Sequence, residues 1–363
     1  MRQLLANHWI GLLVGALVLF GVAARSTARA DEQQTAALLK MFVEEFVSIT
    51  PGEGKFPASF QMGSKAGDAS EQPQHEVTFK HKFAIAKYEM PQNLYEAVMG
   101  TNPSRWKGPR NSVEMMSWKD ANDFCQKITQ QLRDRKLIGA DEVIRLPTEA
   151  EWEYCCRAGT TTKYSFGDEA QPAGEVSFDV LLTGFGENKA KVVKVILDAT
   201  NLDLKDAKNL AGGAFKPLRL LLSQDDATTL KAGIEQAGGT CTLRTAILLD
   251  KFGWHTENAA GNDPPIGELK PNPWGLYDMH GYLWELTADE WAPDYKQAPK
   301  DGSAAKGSDG GGVSIVVRSG SWKDRFDKLT SSSRRKLSST AADDAIGFRC
   351  VKAVVRYTSH GQE

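Results

Sequence analysis

The clearest hydrophobic pattern of the chain lies after the first thirty residues, where apolar positions recur every three or four residues. Within 31–50 these positions are Leu38, Leu39, Phe42, Val43 and Phe46. Because this spacing places them on one helical face, we expect an amphipathic helix over 31–50. Shorter apolar runs at 60–63, 76–79 and 83–85 are bounded by polar residues and predict short strands.

Further helices are predicted from the residues at their starts and ends. A helix is expected over Gln92–Met99, since the glycine that follows tolerates the left-handed backbone of a helix C-terminus. Ser117 with Asp120, and Thr148 with Glu151, occupy the two positions of a capping box before helical segments. These starts predict one helix from 117 to 132 and another that begins at 148.

The composition of the chain changes at about residue 176 and changes back after about 244. Outside this segment Trp, Gly, Asn and Pro recur at short intervals. Inside it Leu, Val, Ala and Lys are frequent, and the apolar residues recur with helical periodicity. Residues 188–199 and 204–211 are predicted to be amphipathic helices, and Ser223 with Asp226 begins a third. Exposed loops tolerate inserted domains, so the pattern indicates one domain placed inside another.

Residues 1–30 have the features of an export signal. Arg2 begins a short basic region, and Ile10 to Ala24 form an apolar run. Ala28 and Ala30 are the small residues that a signal peptidase requires before its cleavage site. A run of about 15 apolar residues is short for a membrane span. We expect export to the periplasm or the extracellular space and no span after cleavage; an uncleaved N-terminal anchor is the alternative.

Composition and charge exclude some classes of protein. The 363 residues carry 44 Lys and Arg against 46 Asp and Glu, a net charge of -2. Removal of 1–30, with three arginines and no acidic residue, gives 41 against 46, or -5. A chain with more acidic than basic residues has little capacity to neutralise the phosphates of a nucleic acid, so we expect no nucleic-acid partner. The histidines do not recur at the spacing of zinc ligands, so we expect no zinc site.

Ordered motifs on both sides of the composition change carry a resemblance to a known family. They are FQMGS at 60–64, RLPTEAEWEY at 145–154, PNPWGLYDMHG at 271–281, RSGSW at 318–322 and IGFRC at 346–350. Over about 45–176 and 254–353 the chain resembles the formylglycine-generating enzyme, or sulfatase-modifying factor, family. The resemblance implies an α+β fold, turn-rich and C-type-lectin-like.

Activity in that family depends on two cysteines that follow the Gly-Ser-Trp segment, bind copper(I) and oxidise a substrate cysteine to formylglycine. Counted from that segment, these positions are Asp324 and Leu329. Copper(I) selects soft thiolates, which a carboxylate and an isobutyl group cannot replace. The resemblance therefore implies a degenerate site with no catalytic residues, no copper and no required cofactor. The run SSSRRK at 331–336 is expected to be a solvated loop rather than a catalytic or phosphate-binding element.

The resemblance also implies a calcium site. The family binds calcium near a segment that corresponds to 281–286, where Glu285 remains a hard oxygen ligand and Tyr282 replaces an asparagine. Calcium is therefore a candidate ligand of Glu285. Asn258 is a second candidate, and turn capping is its alternative role.

The cysteines give a further expectation that rests on the resemblance. Cys156 and Cys350 match positions that are bridged in the family, so we expect a disulfide between them. Cys125 and Cys241 are expected to be buried thiols, and Cys155 has no assigned partner. An exported chain would enter a compartment where disulfides persist.

The segment inside the outer domain is similar to a second family. It resembles the compact β-α-α-β-α-β domain at the C-terminus of the large-subunit ribosomal stalk protein, with the most specific match at 204–208. That domain recruits translational GTPases through the basic face of two helices, which Lys189, Lys194 and Lys208 match here. Because an exported chain would not meet a ribosome or its GTPases, we expect a protein-interaction module; solvated lysines without a partner are the alternative.

These inferences divide the chain into a signal peptide (1–30), a leader helix (31–47), an outer domain in two parts (48–175 and 246–355), the insert (176–245) and a tail (356–363). We expect an exported, non-catalytic binding protein whose ligand is a protein, a peptide or a glycan. An oxidoreductase with residual or different activity is one alternative. A translation-associated role through the insert is a second.

Overall fold

A computed structural model of the chain describes residues 31–170, 176–199, 217–259, 264–307 and 314–354. The predicted signal peptide, the predicted helix over 204–211 with Lys208, and the predicted tail lie outside these residues. Within the described ranges, no helix combines the length and the apolar character that a membrane crossing requires.

Short strands and helices alternate along the outer domain and the insert. Before the insert the helices are α1 at 31–44, α2 Gln92–Met99, α3 Trp118–Asp134 and α4 Glu149–Arg157. The strands there are β1 Phe46–Ile49, β2 Ser59–Met62, β3 His75–Thr78, β4 Phe83–Ala86 and β5 Glu142–Arg145. The insert contains β6 Phe178–Gly184, α5 Lys189–Ala199, β7 Pro217–Leu222, α6 Gln224–Gln236 and β8 Thr240–Thr245. After it come α7 Thr256–Ala259, β9 Trp284–Glu290, β10 Ser314–Arg318, β11 Arg334–Ser338, β12 Ile346–Gly347 and β13 Val351–Val354.

The helix starts that the sequence predicts are confirmed. Ser117 accepts a hydrogen bond from the backbone of Asp120, whose carboxylate accepts one from the backbone of Ser117. Thr148 and Glu151 make the same reciprocal pair at the start of α4. Gly100 ends α2 with φ of 82°, a left-handed conformation that costs glycine little.

Helix α1 is shorter than its hydrophobic pattern predicts. It ends at residue 44, and Phe46 begins strand β1, which pairs antiparallel with β4. Phe46 still packs edge-on against Phe42 of the helix, with ring centroids 4.9 Å apart. An apolar residue just beyond a helix can thus keep the helical spacing while its backbone is extended, so the prediction of a helix to residue 50 was wrong at its end.

Two four-stranded sheets organise the outer domain, in the orders β1-β4-β13-β5 and β11-β10-β9-β12, and β2 and β3 form a separate hairpin. Strand β13 pairs antiparallel with both β4 and β5, with Val351 opposite Ile85 and Arg145. Strand β13, Val351–Val354, is therefore built into a sheet whose other strands come from the first half of the chain. Residues from both halves share the same two hydrophobic clusters.

The insert has its own small antiparallel sheet, in the order β7-β6-β8, and its own core. Val192 and Ile196 of α5 pack with Leu230 and Ile234 of α6. Ser223 caps α6 by accepting from the backbone of Asp226, as predicted.

Candidate functional site

Helix α4, formed by the RLPTEAEWEY motif, carries three buried carboxylates, each of which has a basic partner. Glu151 accepts two hydrogen bonds of 2.7 Å from Arg145, and this pairing, opposed by burial, lowers its pKa to about 2. Glu153 is bound by Arg157 and by Arg318, each at 2.8 Å. A carboxylate that is removed from water needs a basic partner to offset the cost. The ion pairs of α4 therefore stabilise the core, and their carboxylates are not available to a ligand.

Glu149 is the centre of an ion-pair cluster with two arginines. It is bound by Arg318 at 2.8 Å and by Arg334 at 2.7 and 2.9 Å, and the hydroxyl of Tyr295 donates to it at 2.8 Å. The two guanidinium groups keep its pKa low although burial opposes ionisation. The cluster therefore joins α4 to strands β10 and β11.

The run at 331–336 is built into this cluster, so the prediction of a solvated loop was wrong. Ser331, Ser332 and Ser333 are buried, and Arg334 is only 8% exposed because Glu149 binds it. Arg335 lies over the ring of Trp284, 4.7 Å from its centroid.

Asp324, at the first degenerate position, makes hydrogen bonds that stabilise its own loop. Its carboxylate accepts hydrogen bonds from Trp284 Nε1 at 2.7 Å, from the backbone of Ser321 at 3.0 Å and from the Ser321 hydroxyl at 2.5 Å. These contacts fix the turn after the Gly-Ser-Trp segment.

Leu329, at the second degenerate position, is completely buried in a cluster with Tyr164 and Leu249. It also fills the space beside Gly320, where a β-carbon would come within 2.8 Å of Leu329 Cδ1. Its carbonyl accepts a hydrogen bond of 2.9 Å from His280 Nδ1. Both degenerate positions therefore hold the loop in place.

The five cysteines are all buried and unbridged, which corrects the predicted pair. Cys350 Sγ lies 3.9 Å from Cys125 Sγ, whereas Cys156 donates to the carbonyl of Met279 and belongs to a different hydrophobic cluster. Burial raises the pKa of Cys156 to about 12 and raises that of Cys350. The expectation that Cys125 and Cys241 are buried thiols is confirmed.

The two candidate calcium ligands have other partners. Glu285 accepts hydrogen bonds from Arg349 at 2.6 Å and from Trp152 Nε1 at 2.9 Å. Asn258 accepts from the backbone of His255 at 2.7 Å and donates to the carbonyl of Gly253 at 2.9 Å, which matches the turn-capping alternative. Among the described residues no three His, Cys, Asp or Glu side chains are grouped to hold a metal ion. Calcium binding at these two residues stays a prediction without geometric support.

An open cleft of about 510 Å³ lies between the loop after β2, the end of α4 and the segment that follows Asp324. Its polar lining includes Asp68, Glu71, Arg157, Lys328, Thr330 and Ser332. Sequence reasoning did not find it, because these residues lie in three distant segments; the FQMGS motif that precedes the first was the available signal. We refer to this space as the α4 cleft.

Glu71 lies at the floor of the α4 cleft. It is 6% exposed, and its carboxyl is hydrogen-bonded to Ser332. Burial raises the pKa of Glu71. The hydrogen bond with Ser332 and the charge of Arg318 oppose this rise, and the carboxylates of Glu153 and Asp68 add to it. A carboxyl with this environment in a cleft is a candidate functional group.

The lysines predicted to bind a partner lie on the surface of the insert. Lys189 Nζ lies 5.2 Å from the ring centroid of Phe185, and Lys194 pairs with Asp198 at 3.8 Å. Both lysine side chains are exposed, so these two contacts contribute little stability and leave the side chains accessible. Lys208 lies outside the described residues.

Comparison with known families matches two regions of the chain. A family model described as a sulfatase-modifying factor enzyme 1-like domain matches residues 33–204 and 235–354. A model of the ribosomal protein L7/L12 C-terminal domain matches residues 178–244. The two matches overlap within the insert.

Solved structures share the fold. PvdO from Pseudomonas aeruginosa is similar with a TM-score of 0.54 and 21% identity, over 82% of this chain and 93% of that chain. Treponema denticola variable protein 1 is similar with a TM-score of 0.52 and 20% identity, over 85% and 95%. At such identities the similarity concerns the fold alone.

The curated relatives are ribosomal proteins. Large ribosomal subunit protein bL12 of Macrococcus caseolyticus is 33% identical over 119 residues, which is 33% of this chain and 98% of the relative. The bL12 protein of Lactobacillus acidophilus is 34% identical over 119 residues, or 33% and 96%. The chain therefore matches two families, one over most of its length and the other over 178–244.

Proposed function

The chain belongs to the sulfatase-modifying factor enzyme 1-like family and carries an L7/L12 C-terminal-like segment, and from this membership we propose that it is an exported, non-catalytic binding protein. The observation that carries the proposal is the structural role of Asp324 and Leu329, which stand where the family has its copper-binding cysteines. One side chain is hydrogen-bonded within its loop and the other fills the core. Neither offers the soft ligand that copper(I) requires.

The remaining thiols support the same proposal. All five cysteines are buried, and burial raises the pKa of Cys155, Cys156, Cys241 and Cys350. The thiolate is the nucleophile and the metal ligand, so groups held as thiols in the core are poorly suited to either role. We expect no copper and no other required cofactor.

In this proposal the α4 cleft receives the ligand, which is part of a protein, a peptide or a glycan, and the insert is a protein-interaction module. Lys189 and Lys194 are exposed on α5 and available to an acidic partner. Export is inferred from the signal-like residues 1–30, whose cleavage would leave the chain outside the cytoplasm.

A turnover assay tests the absence of catalysis. The purified chain is incubated with a cysteine-containing sulfatase peptide, copper and oxygen, and formylglycine is measured by mass spectrometry. An active copper-dependent family member serves as the control. We expect formylglycine with the control alone. Formylglycine formed by this chain would establish the oxidoreductase alternative and overturn the proposal.

A translation-associated role is the second candidate, because 178–244 match a ribosomal protein domain. Cell fractionation separates it from export. Processed chain in the exported fraction supports the proposal, whereas unprocessed chain bound to ribosomes supports the second candidate.

A further inference from the structure

The floor of the α4 cleft is a buried acid that makes no ion pair among the described residues. Glu71 is 6% exposed, and the charges of Arg318 and Lys328 act on its carboxyl group without a direct ion pair. This distinguishes Glu71 from the three carboxylates of α4, each of which is paired. An ionised carboxylate in this position would gain strongly from a cation supplied by a ligand.

Two of the three basic side chains that line the α4 cleft are engaged by acidic groups. Lys328 pairs with Asp68 at 3.0 Å. Arg157 binds Glu153 at 2.8 Å and donates to the carbonyl of Gly63 at 2.9 Å. The third basic residue, Lys163, lies over the ring of Tyr164, with Nζ 5.8 Å from the ring centroid. Four carboxyl groups, of Asp68, Glu71, Asp168 and Asp327, line the cleft against these three basic groups, so the cleft favours a cation.

Hydroxyl groups surround the same point. Ser332 is hydrogen-bonded to Glu71, and Thr330 Oγ1 lies 3.5 Å from Ser332 Oγ. Thr330 and Ser332 both line the cleft. Thr330 Oγ1 already accepts a hydrogen bond of 3.1 Å from the backbone of Ser333, but a hydroxyl oxygen can accept two. The cleft therefore presents one carboxyl group and two hydroxyl oxygens as acceptors.

The shape of this acceptor set favours an ammonium group over a guanidinium group. A β-carbon on Gly67 would overlap Oε2 of Glu71, so the backbone of Gly67 covers one oxygen of the carboxyl. A guanidinium group binds best when both carboxylate oxygens receive its planar fork. An ammonium group is compact and carries three donors that can be directed to separate acceptors.

We propose that the α4 cleft binds a primary ammonium group, with Glu71 as its charge partner and the hydroxyls of Ser332 and Thr330 as further acceptors. The group belongs either to a lysine side chain of a peptide or to a small diamine, which share this chemistry. With a peptide as the source, the inference rests on the proposed function and names the chemical group of its ligand; with a diamine as the source, the α4 cleft binds a small molecule instead.

Isothermal titration calorimetry on the full chain tests the inference. The probes are Nα-acetyl-lysine amide for the peptide source, 1,5-diaminopentane for the diamine source, and neutral Nα-acetyl-norleucine amide. We expect at least one ammonium probe to bind and the neutral probe to bind at least tenfold more weakly. The tighter ammonium probe identifies the source. Binding of neither ammonium probe, or equal binding of the neutral one, overturns the inference.

Variants locate the site. Glu71→Gln keeps the shape and removes the charge, and we expect it to weaken ammonium binding roughly tenfold or more. Glu76→Gln changes an exposed glutamate of β3 outside the cleft lining and should leave the affinity unchanged. Unchanged affinity in Glu71→Gln, or an equal loss in Glu76→Gln, contradicts the inference.

Ser332→Ala provides a second variant if Glu71→Gln does not fold. It removes one acceptor and should weaken binding several-fold, and unchanged affinity contradicts the inference. These results are independent of the turnover assay. Failure to bind ammonium leaves the non-catalytic proposal standing, whereas formylglycine formation overturns that proposal whatever the cleft binds.

Discussion

Arg349 binds the carboxylate of Glu285 through two hydrogen bonds of 2.6 Å, and both side chains are completely buried. Arg349 also donates to the carbonyl of Tyr277 at 2.9 Å, and Trp152 Nε1 donates to Glu285 at 2.9 Å. The pair therefore connects the IGFRC segment with two other motifs of the family.

Replacement of Arg349 should destabilise the fold strongly. Arg349→Met leaves the carboxylate of Glu285 buried without its partner, so we expect the free energy of unfolding to fall by about 3–5 kcal/mol in urea denaturation. The double variant Glu285→Gln with Arg349→Met should recover part of this loss, because it also removes the unpaired charge. Lys82→Met, which breaks an exposed pair with Glu53, should cost less than about 1 kcal/mol and is the control. Equal effects of the two single variants would contradict the importance of the buried pair.

Cys125 and Cys350 are the thiols placed to be cross-linked. Their sulfur atoms lie 3.9 Å apart and need to approach to about 2 Å in a disulfide. After oxidation we expect two fewer titratable thiols and a linked pair of peptides that contain these residues. Cys125→Ser should abolish the link, whereas Cys241→Ser should not affect it. A linked pair with Cys156 instead would restore the pairing that the family resemblance implies.

Leu329 should be needed for stability. Because it is completely buried beside Tyr164, Leu329→Ala removes apolar contacts and leaves a cavity, and we expect a loss of about 2–5 kcal/mol. Val354→Ala, at a residue 54% exposed, should change stability by less than about 0.5 kcal/mol. Chemical denaturation measures both. No loss in Leu329→Ala would show that the loop is held by other contacts and that the position is free for a ligand.

Local signals in the sequence predicted much of the fold. The capping pairs at Ser117 and Thr148 involve residues three apart, so the sequence contains both partners, and both helix starts are confirmed. The ordered motifs likewise predicted the family, because they preserve the order of a complete domain.

Long-range contacts explain what the sequence did not predict. Ser331 to Ser333 are polar and precede basic residues, which is typical of a solvated loop, yet Glu149 binds Arg334 across 185 positions of the chain. The α4 cleft is likewise assembled from segments that are far apart in the sequence. The disulfide pair depended on which buried cysteine faces Cys350, and spacing along the chain does not determine that.

His280 should make stability fall as the pH decreases below neutral. Its Nδ1–H donates to the carbonyl of Leu329 at 2.9 Å and Nε2 accepts from the hydroxyl of Ser165 at 2.8 Å, so the buried ring is neutral. Burial lowers its pKa to about 4 from an ordinary value of 6.5. Between these values the unfolded chain binds more protons, so the stability present above pH 6.5 is lost toward pH 4, by up to about 3 kcal/mol.

The contribution of His280 is measured as a difference between variants. His280→Gln cannot titrate, so the fall in unfolding free energy from pH 7 to pH 4 should be smaller than in the unmodified chain. His75→Gln, at a half-buried residue of β3, serves as the control for a histidine-to-glutamine replacement elsewhere in the chain. The same pH dependence in His280→Gln would show that other groups cause the acid destabilisation.

Removal of the insert tests whether the outer domain folds alone. The backbone N–H of Ala246 donates to the carbonyl of Ser177 at 2.8 Å, so the chain enters and leaves the insert at adjacent points. The insert also has its own core of Val192, Ile196 and Leu230. A chain that lacks 177–245 can therefore close with little rearrangement, and we expect it to unfold cooperatively in urea.

The deletion should nevertheless lower stability, because Arg244 of the insert binds Asp250 of the outer domain. Asp250 is completely buried, and its carboxylate also lies 2.7 Å from Nε2 of His255. Loss of a charged hydrogen bond costs about 1.5–3 kcal/mol. Arg244→Ala in the full chain removes the same contact and keeps the insert, so the two changes should destabilise the outer domain by similar amounts. If Arg244→Ala unfolds cooperatively and the deletion does not, the outer domain depends on the insert for more than this contact, and the insertion hypothesis is wrong.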